Sequence, residues 1–307
     1  MDERRPFTRA DAVAAGISPW LLRGSRYRRI FWGVFISAEV EPTDEERVIG
    51  ALLVHPAGAW ASHRTAAAWC GVVVPDSSFV HVSVTKAKDR RWLLDIKPHV
   101  APVGTPTRMW RGIRVSDPVR MFVELASMLD LVDLVVAGDN LLRVFRMTAA
   151  TLRAGLERTR DYWSPAARHA AAYVRDGVDS PMETRLRMLI VLAGLPEPVA
   201  GHAVRADNGD VLVRFDLAYR EQRLAIEYHG THHRDDPRTW ERDLRRSELV
   251  DQLGWHLVHV TSKDLFDTPA GTLRRIWLAA ARLGLTVPPP QPGWEPHFTN
   301  RAPRPAS

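Results

Sequence analysis

Apolar positions along this chain follow two rhythms. Spacings of three and four residues predict helices over 45–54, 64–69, 131–145, 148–159 and 164–174, while alternation at 79–84 predicts a strand. Capping signals sharpen several ends. Thr8 and Asp11 have capping-box spacing with Gly16 as a stop, Ser18 and Pro19 open a short second helix over 19–24, and Asp117-Pro118 opens another that runs to about 128. Arg23, Arg26, Arg28 and Arg29 then lead into an apolar strand at 30–36 with Gly33 inside it. Helix, turn, helix and basic strand is the order of a winged helix-turn-helix.

Beyond Asp176, Gly177 and Asp179 the pattern becomes mixed: helix 181–193, strands 211–219 and 223–229, helix 237–253, strand 255–261, helix 269–283. The expected class is therefore α+β or mixed α/β. The organisation expected is a winged-helix module over 1–80, a mostly helical middle region over 81–178, a mixed β-sheet flanked by helices over 179–287, and a disordered tail over 288–307, where seven prolines prevent a regular element.

Composition narrows the setting. Hydrophobic residues make up 45% and charged residues 25% of the 307, as in globular proteins. The single cysteine, Cys70, excludes an internal disulfide or a multi-cysteine zinc site, so a cytoplasmic location is expected. The first residues, MDERRPFTRA, form no apolar h-region, and the most apolar stretch carries Asp133, Asp139 and Asn140; neither a signal peptide nor a membrane span is expected. The net charge of +6 favours a polyanionic partner. All but four of the basic residues (Lys86, Lys88, Lys97, Lys263) are Arg, however, which makes clustering more informative than the total. The glycines at 58 and 104 form no phosphate loop, and Trp60, Trp69, Trp92 and Trp110 read as core and interface aromatics.

The richest segment is VLVRFDLAYREQRLAIEYHG at 211–230. Val213, Phe215 and Leu217 share one face of the first strand, which turns Asp216 to the other. With Glu221-Gln222 at the centre of the loop, in a two- or four-residue turn, Asp216 stands across from Glu227. Opposed like charges destabilise a sheet, and a divalent cation with oxygen ligands is the natural compensation; a solvated hairpin edge answered by Arg214, Arg220 and Arg223 is the plainer alternative. His229 shares the face of both carboxylates and can position or deprotonate a water. Arg242, Arg245 and Arg246 on the following helix suit a phosphate backbone.

Asp216, Glu227-Tyr228-His229-Gly230, His232-His233, the Arg-rich helix with Asp243, and Gly254-Trp255-His256-Leu257-Val258-His259-Val260-Thr261 together resemble the very short patch repair-like (Vsr-like) endonuclease domains of the PD-(D/E)XK nuclease superfamily. The resemblance implies a restriction-endonuclease-like fold over about 180–285, with Asp216 and Glu227 holding Mg²⁺ or Mn²⁺. It also implies a supporting acid from the preceding helix, here Glu183, which equally fits a capping box with Ser180. His229 stands where the superfamily usually has Lys, as Vsr-type enzymes also place a His before this Gly. His232 and His233 are implied to touch phosphate or the attacking water; a zinc site of His229, His232 and His233 is disfavoured because adjacent side chains in an extended chain point apart. Thr261 is taken as structural.

Thr8 to Gly16, Arg28-Arg29-Ile30, Gly33-Val34-Phe35 and Ser62-His63-Arg64-Thr65-Ala66-Ala67 are similar to AbiEi-type antitoxins of type IV toxin-antitoxin systems. That likeness implies DNA binding through Arg23, Arg26, Arg28 and Arg29 and, as a second partner, a cognate toxin. Two functions follow as expectations: a metal-dependent DNA endonuclease targeted by a winged helix, or a non-catalytic antitoxin-like repressor built on a degenerate nuclease fold.

Overall fold

The computed structural model describes residues 1–230 and 237–298, apart from the side chains of 237–244. The chain divides into two units, Met1–Leu129 with Leu152–Arg168, and Asp130–Thr151 with His169–Ser307.

The first unit begins with β1 (Phe7–Thr8) and α1 (Arg9–Ala14), followed by a 3₁₀ turn (Leu21–Arg23), β2 (Tyr27–Phe31) and β3 (Val34–Ser37). These strands form a three-stranded antiparallel sheet in the order β1-β3-β2. The Thr8–Asp11 capping box forms as its spacing requires. The expected second helix is reduced to the three-residue 3₁₀ turn, and no side chain caps it. The single strand expected at 30–36 is a hairpin, because Gly33 takes a φ of +81° and turns the chain between β2 and β3. Phe7, Ala12, Leu22 and Tyr27 bury together beneath this sheet.

Next come α2 (Asp44–Leu53), β4 (Trp60–Ala61), α3 (His63–Cys70), β5 (Val80–Val84), β6 (Ile96–Val100), β7 (Thr107–Trp110), β8 (Ile113–Ser116) and α4 (Pro118–Leu125). The five strands form one mixed sheet in the order β6-β5-β4-β8-β7. The region expected to be mostly helical from residue 81 thus opens with strands. β6 to β8 are four or five residues long, too short for alternation to stand out. Helices take over from Asp117, which caps α4 with Pro118 at its first position.

The expected helices at 131–145, 148–159 and 164–174 are α5 (Leu131–Phe145), α6 (Ala149–Glu157) and α7 (Ser164–Ala171). The second unit continues with α8 (Pro181–Leu192), β9 (Val199–Arg205), β10 (Val211–Tyr219), β11 (Leu224–His229), α9 (Pro237–Gln252), β12 (His256–Thr261), α10 (Ser262–Phe266), α11 (Pro269–Arg282) and α12 (Glu295–Phe298). Its sheet has the order β12-β11-β10-β9, antiparallel except for the parallel β11–β12 pair. Val213, Phe215, Ala218 and Ala225 pack with Val250 and Trp255 on this sheet. At roughly 1.5–3 kcal/mol for each large apolar side chain fully buried, that layer fixes which face β10 turns inward.

A buried ion pair ties α5 to α8. Arg187 is fully buried and bonds Asp139 and Glu197, each at 2.9 Å, while Asp139 also accepts from Thr184 Oγ1 and the Arg175 N–H. The expectation of a disordered tail from residue 288 fails for its described part. Trp294 and Phe298 are buried, and the Gln291 N–H donates to the Ala193 carbonyl just past α8. Two apolar anchors outweigh the backbone constraint of the prolines. Residues 299–307 lie outside the described part.

Candidate functional site

Tyr219 pairs with Leu224 across a four-residue loop, with Ala218 opposite Ala225 and Leu217 opposite Ile226. That register is the one the sequence requires for Asp216 to face Glu227. The paired ladder stops one step short of them. Asp216 Oδ2 instead accepts the Tyr228 N–H at 2.9 Å, which answers one carboxylate with a backbone dipole.

Glu227 is 6% exposed, although it is a carboxylate near the end of a strand. Arg246 of α9 forms an ion pair with its Oε1, and His229 Nε2 stands 3.9 Å from its Oε2. Arg246 is itself held by the Arg214 carbonyl at 2.9 Å and lies 6.0 Å from the Phe215 ring. Among the acids, burial pushes Asp216 above the usual carboxylate range, against the pull of the Tyr228 N–H, Arg246 and His229. Glu183 is raised too, first by burial, with the charge of Asp216 adding to it. Glu183 and Asp216 therefore stand close enough to repel, on α8 and β10.

Glu183 also shows why the capping box is only half legible in the sequence. Its N–H donates to the Ser180 hydroxyl, but its carboxylate accepts from Asp179, one residue before the cap. The box is displaced by one residue.

The parallel β11–β12 pair brings in a residue given no role from the sequence. Glu227 is paired with His259 and His229 with Thr261. His259 Nδ1 makes hydrogen-bond contact with His229 Nε2, and the rings meet edge to face with centroids 4.4 Å apart. Glu227, His229 and His259 offer ligand atoms within 4.8 Å of one another. The signal for His259 is present in the string HLVHV, but it becomes readable only once β12 is known to lie parallel to β11. Thr261 caps α10 in a full capping box with Asp264, as a structural threonine should.

The expected nucleic-acid contacts are dispersed. Arg245 is exposed on α9 beside Arg246. His232 and His233 lie outside the described residues, as does the side chain of Arg242. In the first unit Arg26 pairs with Glu3 at 3.0 Å, Arg28 pairs with Glu41, and Arg29 covers the exposed Trp32 ring at 5.4 Å. Arg23 is exposed at the end of the 3₁₀ turn.

No family model matches the chain. It is similar to two curated proteins, the uncharacterized protein MT2308 of Mycobacterium tuberculosis (strain CDC 1551 / Oshkosh) and the uncharacterized protein Rv2248 of Mycobacterium tuberculosis (strain ATCC 25618 / H37Rv). Each is 25% identical over 250 residues, covering 81% of this chain and 90% of the relative. A match of that length exceeds either unit, so the likeness reaches into both. Among the described residues no helix is long and apolar enough to cross a membrane.

Proposed function

We propose that this protein hydrolyses DNA phosphodiester bonds with a divalent metal ion at Asp216 and Glu227, and that the first unit's winged-helix-like region helps to select the DNA. The observation that carries the reading is a pair of desolvated carboxylates from adjacent strands, with Glu183 repelling one of them and an imidazole and a guanidinium at the same mouth. Desolvated, mutually repelling acids cost stability unless a cation joins them. The order α8, β9, β10, β11, α9, β12 agrees with the restriction-endonuclease-like arrangement that the Vsr-like resemblance implies.

The donor set fits the ion. Carboxylate oxygens suit Mg²⁺ or Mn²⁺, and the adjacent imidazoles of His229 and His259 extend the set to ions that accept nitrogen. Such an ion supplies Lewis-acid charge to the phosphoryl oxygens and activates water. The residues of the chain do the rest. The His229–His259 contact can hold one proton and hand it between Nε2 and Nδ1, which equips His229 as general base. Arg245 and Arg246 offer charge to phosphates, and Glu183 on α8 adds a supporting carboxylate to the metal-binding acids.

One observation favours a second reading. Arg246 already neutralises Glu227, and the usual lysine position holds His229, so the same fold could serve as a scaffold for an antitoxin-like repressor that binds DNA without cutting it. Nicking of supercoiled plasmid separates the two. The nuclease reading expects nicking with Mg²⁺ or Mn²⁺ that is lost with EDTA and in Asp216→Asn, Glu227→Gln. DNA binding without nicking in either metal would overturn it in favour of the repressor.

A further inference from the structure

Three histidines outside the proposed nuclease site meet in the first unit. His81 lies on β5, His99 on β6, and His63 opens α3 immediately after β4. β5 and β6 run parallel, with Ser83 opposite His99 and Lys97 opposite His81, so the two imidazoles are diagonal neighbours on one face. His81 Nδ1 and His99 Nε2 are 3.0 Å apart. His63 reaches them from the strand-to-helix turn, its ring stacked on that of His99 at 3.7 Å and 20°. One ligand nitrogen from each residue lies within 4.8 Å of the others.

The surroundings keep all three neutral. His63 is 7% exposed and His81 3%. Burial drives His63 well below the ordinary histidine range, His81 down to about 3 and His99 down to about 4, with neighbouring cations adding to it. Each ring therefore carries a lone pair near neutral pH, the form that binds metal. The acid within reach does not act as their counter-ion. Glu124 Oε2 is 3.9 Å from His63 Nδ1, but its oxygens accept from the His63 N–H, the Ser116 hydroxyl and Arg120 Nε.

Hydroxyls occupy the outer ring nitrogens. Ser62 Oγ is 3.0 Å from His63 Nδ1 and Ser77 Oγ is 3.3 Å from His81 Nε2. This is the arrangement by which outer-shell oxygens fix the tautomer of metal-binding histidines. It leaves Nε2 of His63 and Nδ1 of His81 as the ligand atoms, and the second of these already faces His99 Nε2. A tetrahedral zinc with Zn–N of about 2.0–2.1 Å sets its ligand nitrogens about 3.3–3.4 Å apart, so the observed 3.0 Å pair needs to open only slightly. His63 also sits in the left-handed region, with φ of 54°, a conformation uncommon outside glycine and concentrated where local structure is held for a purpose.

We propose that His63, His81 and His99 form a second metal site, a three-imidazole site for Zn²⁺ or an ion of similar preference, with its fourth position open. Binding unstacks His63 from His99 and replaces the His81–His99 hydrogen bond by two metal–nitrogen bonds, the bridging proton passing from Nε2 to Nδ1 of His99 so that all three rings stay neutral. Imidazole donors without a carboxylate select against Mg²⁺. The site shares no residue with the proposed nuclease centre.

The test uses the untagged full-length chain carrying His229→Ala and His259→Ala, so that the other histidine cluster cannot contribute. Titration calorimetry with Zn²⁺ is expected to give one equivalent bound, with a raised Tm, while Mg²⁺ gives neither. Adding His81→Gln and His99→Gln is expected to abolish both effects. Co²⁺ loading of the His229→Ala, His259→Ala protein provides a readout that survives if the quadruple variant does not fold: an intense tetrahedral visible spectrum supports the site, and a weak octahedral one overturns it. Failure of that double variant to bind Zn²⁺, or binding that persists after replacement of His81 and His99, also overturns it. None of these results depends on plasmid nicking.

Discussion

Two clusters of histidine stand among the described residues, and they differ in what surrounds them. In the first unit His63, His81 and His99 stack within a sheet-and-helix layer, and the neighbouring acid, Glu124, is tied into the fold by Ser116, Arg120 and a backbone N–H. In the second unit His229 and His259 lie at an exposed strand end, and the neighbouring acid, Glu227, answers a guanidinium from α9. The same imidazole lies in a dry setting in the first cluster and at an exposed strand end in the second. The acids divide likewise: Glu124 is held by the fold, whereas Asp216 and Glu183 are held against their own repulsion.

Removing the acids sharpens this contrast most. Glu124→Ala leaves Arg120 with Asp161 alone, and strips buried partners from Ser116 and the His63 N–H. Breaking a buried pair from one side costs about 3–5 kcal/mol. Asp216→Asn removes a desolvated charge while retaining an oxygen for the Tyr228 N–H, so it is expected to be neutral or to stabilise by about 1 kcal/mol. Urea unfolding of the two variants beside the parent checks both, and equal losses would break the comparison.

Acidification is expected to act on the clusters with opposite sign. The folded-state values of His81 and His99 lie below those of the unfolded chain, so the unfolded state takes up protons first as pH falls below about 6.5. Their contribution, complete above that pH, is lost toward pH 4, by about 2–4 kcal/mol after discounting for the partial exposure of His99. Asp216 and Glu183 are raised in the folded state, so the fold binds their protons first and gains stability as pH falls through the folded values. Unfolding of His81→Gln, His99→Gln and of Asp216→Asn between about pH 4 and 7 should therefore give difference curves of opposite slope. Slopes of the same sign would contradict the assignment of burial as the dominant cause in both.

These two sites are unequally legible in the sequence. Asp216, Glu227 and His229 lie within one hairpin, where period-two alternation and a loop centre fix their relation, and the structure has that register. Long helices such as α5 and α9 are equally plain, because periodicity accumulates over four turns. The histidines at 63, 81 and 99 come from three elements, two of them strands of five residues and the third a helix that His63 opens. Only sheet order brings them together, and local spacing does not encode it. His259 is hidden for the same reason, since its relation to Glu227 rests on a parallel pairing across α9. The missing second helix at 19–24 is a different failure: the Ser18-Pro19 start signal is present, but three residues of 3₁₀ turn satisfy the chain before β2 begins.

A cap tests whether the strand end at His229 is positioned by structure alone. Thr261 pairs with His229 in the sheet and closes a capping box with Asp264. Thr261→Ala is expected to cost about 0.5–2 kcal/mol through loss of the cap. Metal-dependent nicking should fall no more than the folded fraction does. A drop in nicking at temperatures where the variant is fully folded would assign Thr261 to the chemistry.

The smallest effect on stability is expected from the exposed arginines, and it decides which unit holds DNA. Arg23 and Arg28 in the first unit, and Arg245 in the second, lie at the surface or partly exposed, so their replacement by Ala should change folding free energy by about 1 kcal/mol or less; Arg246 answers the buried Glu227, and its replacement is expected to cost more. DNA affinity should respond more strongly, because each phosphate contact contributes about 0.9 to the slope of log K against log salt. Arg28 and Arg246 each begin in an ion pair, with Glu41 and Glu227, and must leave it to reach a phosphate. Arg23→Ala with Arg28→Ala is therefore expected to lower the slope by about 0.9 to 1.8, the loss of one or two phosphate contacts, and Arg245→Ala with Arg246→Ala by a similar amount. If both units hold DNA, the two losses add in the quadruple variant, since the sites share no partner. An unchanged slope in the first pair would confine DNA to the second unit and remove the first unit from the proposed targeting.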